Sequence, residues 1–163
     1  MKIKNTITSS LFGLIMTFSN ISFAQTNVFD DVIATSPNHT YLEAALLQEG
    51  LDAALRQNPN CTVFAPDDNA FNNLATALGV TISDLLALPN LSDILTYHVL
   101  GSTVLSTGIS NGAVVSPLST TNTLKLTKTS AGDVYVNHSQ VSTADITADN
   151  GVCLLYTSPS PRD

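Results

Sequence analysis

Positive charge is the scarcest commodity in this sequence: six Lys and Arg stand against 13 Asp and Glu, a formal net charge of −7. Phosphate backbones are held by clustered Lys and Arg, so this balance excludes nucleic acid as a partner. Cysteine is nearly absent, with Cys61 and Cys153 the two present. A disulfide framework is thereby excluded. Cys61, beside Val63 and Phe64, reads as a small buried hydrophobe. A Cys61–Cys153 bridge stays open only if the C-terminal residues are native. Neither Cys-x-x-Cys nor His-x-x-x-His spacing occurs, which leaves a zinc site without support. A Gly-rich phosphate loop and a Gly-x-Ser-x-Gly elbow are missing as well, so no cofactor and no nucleophilic triad are expected. The longest apolar run, Leu11 to Phe18, is too short to span a bilayer in the mature chain.

That run instead fits an export signal. Lys2 and Lys4 supply the positive start, and Ser22-Phe23-Ala24 supplies the small-x-small pattern that directs cleavage after Ala24. No cysteine stands at that position, which argues against a lipid anchor. At the other end, Cys153 to Asp163 departs in composition from what precedes it and is similar to a translated transposase adapter of sequencing libraries. Residues 153–163 are therefore expected to be a scar outside the fold. Residues 25–152 remain, 128 residues carrying three Lys and Arg, twelve acids and a net charge of −9. That is one domain's worth of chain, long enough for a real core.

Within it the period changes midway. Val28, Val32 and Ile33 form a short apolar face ended by Ser36-Pro37-Asn38. Thr40 to Glu43 fits a capping box opening a helix that Gly50 closes, and Leu51, Ala54 and Leu55 continue with another turn. Thr62-Val63-Phe64-Ala65 is a buried strand stopped by Pro66. Asp67 or Asp68 then caps a helix with Ala70, Phe71, Leu74 and Leu78 on one face, ended by Gly79. Two short helices follow, one opened at Thr81 and one running from Leu91 to Tyr97. From Val99 onward, Val114-Val115, Leu124 to Lys128, Val134 to Asn137 and Val141 to Ile146 alternate as half-buried strands do. Ser130 to Asp133 and Asp149-Asn150-Gly151 are turn signals. Helices in one block and strands in another give an α+β fold with an antiparallel sheet.

Few residues offer chemistry. His39 lies in a polar turn, His138 in an alternating strand, and His98 at a helix-to-strand junction that it is expected to hold by hydrogen bonds. Asp67 and Asp68, directly after Pro66 and before an apolar helix, read as caps rather than as a metal or acid–base pair. Asn38, Asn60, Asn90 and Asn137 open glycosylation acceptor triplets, which matter only in a eukaryotic secretory pathway.

Three of these pieces, in this order, resemble the fasciclin domain family. Thr62-Val63-Phe64-Ala65-Pro66-Asp67-Asp68-Asn69-Ala70-Phe71 is similar to its first signature. Leu95 to Leu100 is similar to its central Tyr-His motif, and Ala144 to Val152, with Asn150 and Gly151, to the start of its second. The resemblance covers about residues 28–152. It implies a wedge, an antiparallel β-sheet or sandwich flanked by several short helices, in a non-enzymatic module of extracellular adhesion. It implies partners among surface or matrix proteins and glycans, and it marks Tyr97, His98, Asp145 and Ile146 as interaction positions, with Phe64, Pro66 and Phe71 in core and turn. The family's closing strand should follow Val152, where the adapter-like string begins, so that strand is expected to be missing, with Cys153-Leu154-Leu155-Tyr156 the one stretch that could mimic it. The expected function is a secreted or periplasmic adhesion or surface-interaction module. The alternative is a secreted domain binding a polysaccharide or a small ligand.

Overall fold

The computed structural model describes residues 26–119 and 122–157; the export signal expected at residues 1–24 lies outside the described residues. The described residues open with a π-helical turn, Val28–Ile33, followed by helices α1 (Thr40–Gln48) and α2 (Leu51–Gln57). Strand β1 (Cys61–Pro66) leads into α3 (Asp68–Leu78), α4 (Ile82–Leu86) and α5 (Leu91–Tyr97). Six further strands follow: β2 (Val99–Leu100), β3 (Ala113–Val115), β4 (Leu124–Lys128), β5 (Val134–Val136), β6 (Ser139–Ala148) and β7 (Gly151–Thr157), with a 3₁₀ turn at Ser106–Gly108.

The seven strands form one sheet in the order β2-β1-β7-β6-β5-β4-β3. Five pairings are antiparallel, as expected, but β1 and β7 run parallel, from Cys61 opposite Gly151 to Pro66 opposite Tyr156. This corrects the all-antiparallel expectation. The reason is burial: every residue of β1 is buried, the mark of a strand covered on both faces, where parallel pairing is at home. Toward one face Cys61, Val63, Ala65 and Cys153 pack under the π-turn and the helices. Toward the other, Phe64, Val152, Leu154 and Tyr156 pack with Leu124, Leu126, Val134 and Val136, so the two halves of the sheet close on each other.

A second correction concerns the end of the chain. The strand position expected to be empty is filled: Cys153–Thr157 continues Gly151 and Val152 as β7, between β1 and β6. Cys153 and Leu154 are wholly buried. The physical reason is that Cys-Leu-Leu-Tyr supplies apolar side chains to both cores and carries no proline to interrupt the ladder. The two cysteines are free. Cys153 faces Val63 rather than Cys61, and a two-residue offset between neighbouring strands leaves Cα atoms about 8 Å apart, beyond the reach of a bridge. Burial pushes the Cys153 thiol up to about 12.

Caps explain the helix starts. Asp67 caps α3 by accepting from the Ala70 amide at 2.8 Å. The capping box expected at Thr40–Glu43 does not form; α1 begins after His39, whose side chain makes no cap. Asp68 substitutes from α3, accepting from the Tyr41 amide at 3.0 Å and the Thr40 hydroxyl at 2.8 Å. A reciprocal box does form at Thr81 and Asp84 on α4. Asn150 joins three elements: its side-chain oxygen accepts from the Val28 amide and its amide group donates to the Leu55 carbonyl, while its backbone carbonyl accepts from the Cys61 amide.

Candidate functional site

Helix α5 delivers Tyr97 and His98 to the seam between helices and sheet. The His98 Nδ1 lies 2.7 Å from the Ile94 carbonyl oxygen, and its Nε2 lies 2.8 Å from the Tyr156 hydroxyl. A carbonyl only accepts, so Nδ1 carries the proton, and Nε2 accepts from Tyr156. The His98 carbonyl accepts from the Phe64 amide at 2.8 Å. This one residue therefore ties α5, β1 and β7 together. The Tyr97 ring meets the imidazole edge-on, with centroids 5.7 Å apart and planes at 88°. Tyr97 is held in turn by donating to the Thr123 carbonyl at 2.9 Å and accepting from the Asn137 amide at 3.3 Å.

Asp145 and Ile146 stand elsewhere. Two register shifts break β6 between Val141 and Ile146, and Asp145 sits in the second with φ of 58°. There its carboxylate accepts from the Ser106 amide at 2.7 Å and the Ser106 hydroxyl at 2.6 Å, fixing the 3₁₀ turn. Lys128 donates to the Ser106 carbonyl at 2.9 Å. Ile146 is half-buried against the helix-side core, opposite Cys153. Tyr156 and Cys153 are three residues apart on β7, so the two pairs of expected interaction residues are separated by about 10 Å along the strand.

Two recesses flank α5. On the Tyr97 side is a groove of ≈ 260 Å³ lined by Asn90, Asp93, Ile94, Tyr97, Ser119 and Asn122. On the His98 side is a cavity of ≈ 120 Å³ lined by apolar residues of α3, α4 and α5 together with Pro66, His98 and Tyr156. Sequence reasoning missed both, and Tyr156 with them. The apolar face of α3 was the one signal that pointed to the second. Among the described residues, no three His, Cys, Asp or Glu are grouped to hold a metal ion. No described helix is long and apolar enough to cross a membrane.

The imidazoles carry a pH signature. Burial holds His98 below its ordinary value of 6.5, against the opposing hydrogen bond to Ile94. His39, expected in a polar turn, is buried in one: its Nδ1 pairs with the Ser36 hydroxyl, and its Nε2 finds no partner among the described residues. Burial lowers its pKa too, outweighing the nearby Asp67 and Asp68. His138 is not in a strand but in the exposed turn between β5 and β6. A folded-state pKa below the unfolded one means that the unfolded chain binds protons first, so stability present above 6.5 drains away as pH falls through the folded values. The melting temperature is expected to drop between about pH 7.5 and about pH 5, and His39→Gln should flatten that slope. Asp30 and Asp84, held below 3.8 by Arg56 and Thr81, act at lower pH and leave this window clear. A pH-independent melt across the window would refute the assignment.

The fasciclin domain model matches residues 37–155, a span that runs through Cys153 to Leu155 of β7. Protein sll1483 of Synechocystis is 34% identical over 125 residues, covering 75% of this chain and 66% of that protein. The pig transforming growth factor-beta-induced protein ig-h3 is 34% identical over 142 residues, covering 86% of this chain and 20% of that protein. The chain thus spans less than two thirds of the length of these relatives. The fold matches the FAS1 domain pair of the insect cell adhesion molecule Fasciclin I with a TM-score of 0.63, over 80% of this chain and 49% of that one, at 15% identity. The Thr62–Phe71 strand-to-helix unit, the Tyr97-His98 junction and the Asn150-Gly151 turn fall inside the matched span, and this chain belongs to the fasciclin domain family.

Proposed function

We propose that the chain is a non-enzymatic adhesion module working outside the cytoplasm, and that it engages a surface or matrix protein or glycan through the groove beside α5. The observation that carries this reading is the placement of Tyr97. Its ring walls the groove, while both bonds of its hydroxyl hold that ring still. A pre-ordered aromatic with polar neighbours loses little entropy on binding and is the type of residue that anchors interfaces. His98, Asp145 and Ile146 are occupied inside the fold: His98 holds the seam behind Tyr97, while Asp145 and Ile146 stand away from the groove. The relatives support the class of function, since one is a cell adhesion molecule by name. The export signal read from Lys2 to Ala24 supports the location.

The test is binding of the purified chain to matrix-protein-coated plates and to a glycan array. Tyr97→Ala should weaken a saturable interaction by about tenfold or more, the scale of an interface hot spot. Asp145→Ala should lower the melting temperature and leave affinity at matched folding unchanged. Undiminished binding by a natively folded Tyr97→Ala chain would overturn the assignment.

A further inference from the structure

The cavity on the other side of α5 has a shape and a polarity that the adhesion reading does not use. We propose that it is a binding site for a compact, neutral, single-ring molecule bearing one hydrogen-bond donor, of the size and kind of phenol.

Size comes first. The cavity offers ≈ 120 Å³ and opens to solvent at Leu74, while a closed apolar cavity of about 150 Å³ admits benzene. A single ring fills this space to its open rim, and a fused pair exceeds it. The walls come next. Phe71, Leu85, Leu91 and Leu95 are buried around the space, and Leu74, 43% exposed, stands at its rim. An apolar ring leaving water for such walls gains by burial without displacing bound water that the walls could hold well. Leu74 is the exposed member of the lining and marks the mouth of the cavity.

The hydrogen-bond requirement follows from proton positions at the polar end. The proton on His98 Nδ1 is committed to the Ile94 carbonyl, and the Tyr156 proton is committed to His98 Nε2. Neither group has a donor to spare. The Tyr156 oxygen, by contrast, accepts no hydrogen bond among the described residues, and Tyr156 lines the cavity, so its lone pair is the acceptor on offer. A ligand hydroxyl or N–H satisfies that oxygen, whereas a carbonyl or ether finds nothing to pair with and loses its water. Anions are excluded on the same grounds, and the nearby Asp67 carboxylate adds repulsion. The site therefore selects a donor-bearing neutral ring over a bare or acceptor-bearing one.

Titration of the whole chain with phenol, toluene, anisole and benzoate, followed by amide chemical shifts or calorimetry, tests this. Phenol should saturate with a Kd on the order of 1 mM, the range open to so few atoms. Toluene and anisole should bind about tenfold more weakly, the worth of one hydrogen bond, and benzoate not at all. Leu74→Phe, at a rim position 43% exposed, should abolish phenol binding. Ala70→Leu, which fills the cavity from α3, should do the same. Asn122→Ala, at a residue that lines the Tyr97-side groove and not this cavity, should leave phenol binding intact, which separates the two sites. Absence of saturable phenol binding would overturn the proposal, as would equal affinity for phenol and toluene or indifference to both Leu74→Phe and Ala70→Leu.

Discussion

A chain ended at Val152 is expected to lose its cooperative thermal transition and to bind hydrophobic dyes, whereas the chain carrying Cys153–Thr157 melts as one unit. The effect is large because β7 is interior to the sheet, with β1 on one side and β6 on the other. Its side chains feed both cores: Cys153 the helix side, Leu154 and Tyr156 the sheet side. Fully burying a large apolar side chain is worth about 1.5–3 kcal/mol, and a domain's whole stability is about 5–15 kcal/mol. Two such residues, a cysteine and the half-buried Leu155 thus account for a major share. The shortened chain also exposes the edges of β1 and β6, whose amides and carbonyls then lack partners. His98 loses the Tyr156 hydroxyl as well.

The measurement is circular dichroism on heating, with dye fluorescence beside it. A sharp transition within a few degrees of the longer chain's would show that β7 beyond Val152 contributes nothing. A graded companion, Leu154→Ala in the full chain, should cost about 3–5 kcal/mol. It separates the packing of the strand from the mere presence of more chain. The result bears on the adapter-like character of Cys153 to Asp163 in a specific way: whatever encoded these residues, Leu154 is as buried as Phe64, and their pairing partners are set by β1 and β6.

What could be read from the sequence was local. The Thr62–Ala65 strand, the Asp67 cap and the left-handed Gly79 each depend on a few consecutive residues, and each is present in the structure. The face expected on α3 is only half there, since Ala70 and Phe71 are buried while Leu74 and Leu78 are exposed and Ala75 is buried in their place. What could not be read depends on partners far away in the chain. Asp68 caps α1 because Asn38, whose carbonyl accepts from the Asp68 amide, brings the two helix starts together; nothing in Thr40–Glu43 announces this. The parallel pairing of β1 with β7 joins segments on either side of three helices and five strands. Asp145 is turned toward Ser106 by a bulge, a feature with no residue signature in Ala144-Asp145-Ile146. The cavity is the extreme case, since its walls are drawn from three helices and two strand ends. Tyr156 lies in the adapter-like string, and likeness to an adapter says nothing about whether an apolar sequence can occupy a strand.

The same β1–β7 seam yields the second large effect: Gly151→Ala is expected to cost about 3 kcal/mol or more and to lower the melting temperature by about 10 °C or more. Gly151 is buried opposite Cys61, in a backbone conformation that any residue adopts, so strain in φ is not the cause. The cause is space. A Cβ at this position would lie 2.3 Å from the Cys61 carbonyl oxygen and 2.8 Å from its sulfur. The sulfur can be removed; the carbonyl cannot. Cys61→Ala should therefore fail to rescue Gly151→Ala, and the strands must separate where Asn150 accepts from the Cys61 amide at 3.1 Å. That separation also strains the bonds from Asn150 to Val28 and Leu55, which carry the disturbance into the π-turn and α2. Gly108→Ala is the matched control, since its Cβ meets nothing within 4 Å and its φ is ordinary; it should be neutral or stabilising by a few tenths of a kcal/mol, through the unfolded chain. Melting curves of the four chains decide the matter. Rescue by Cys61→Ala would mean that the thiol is the obstacle, and equal melting of the two alanine variants would mean that the seam yields more freely than its close approach implies.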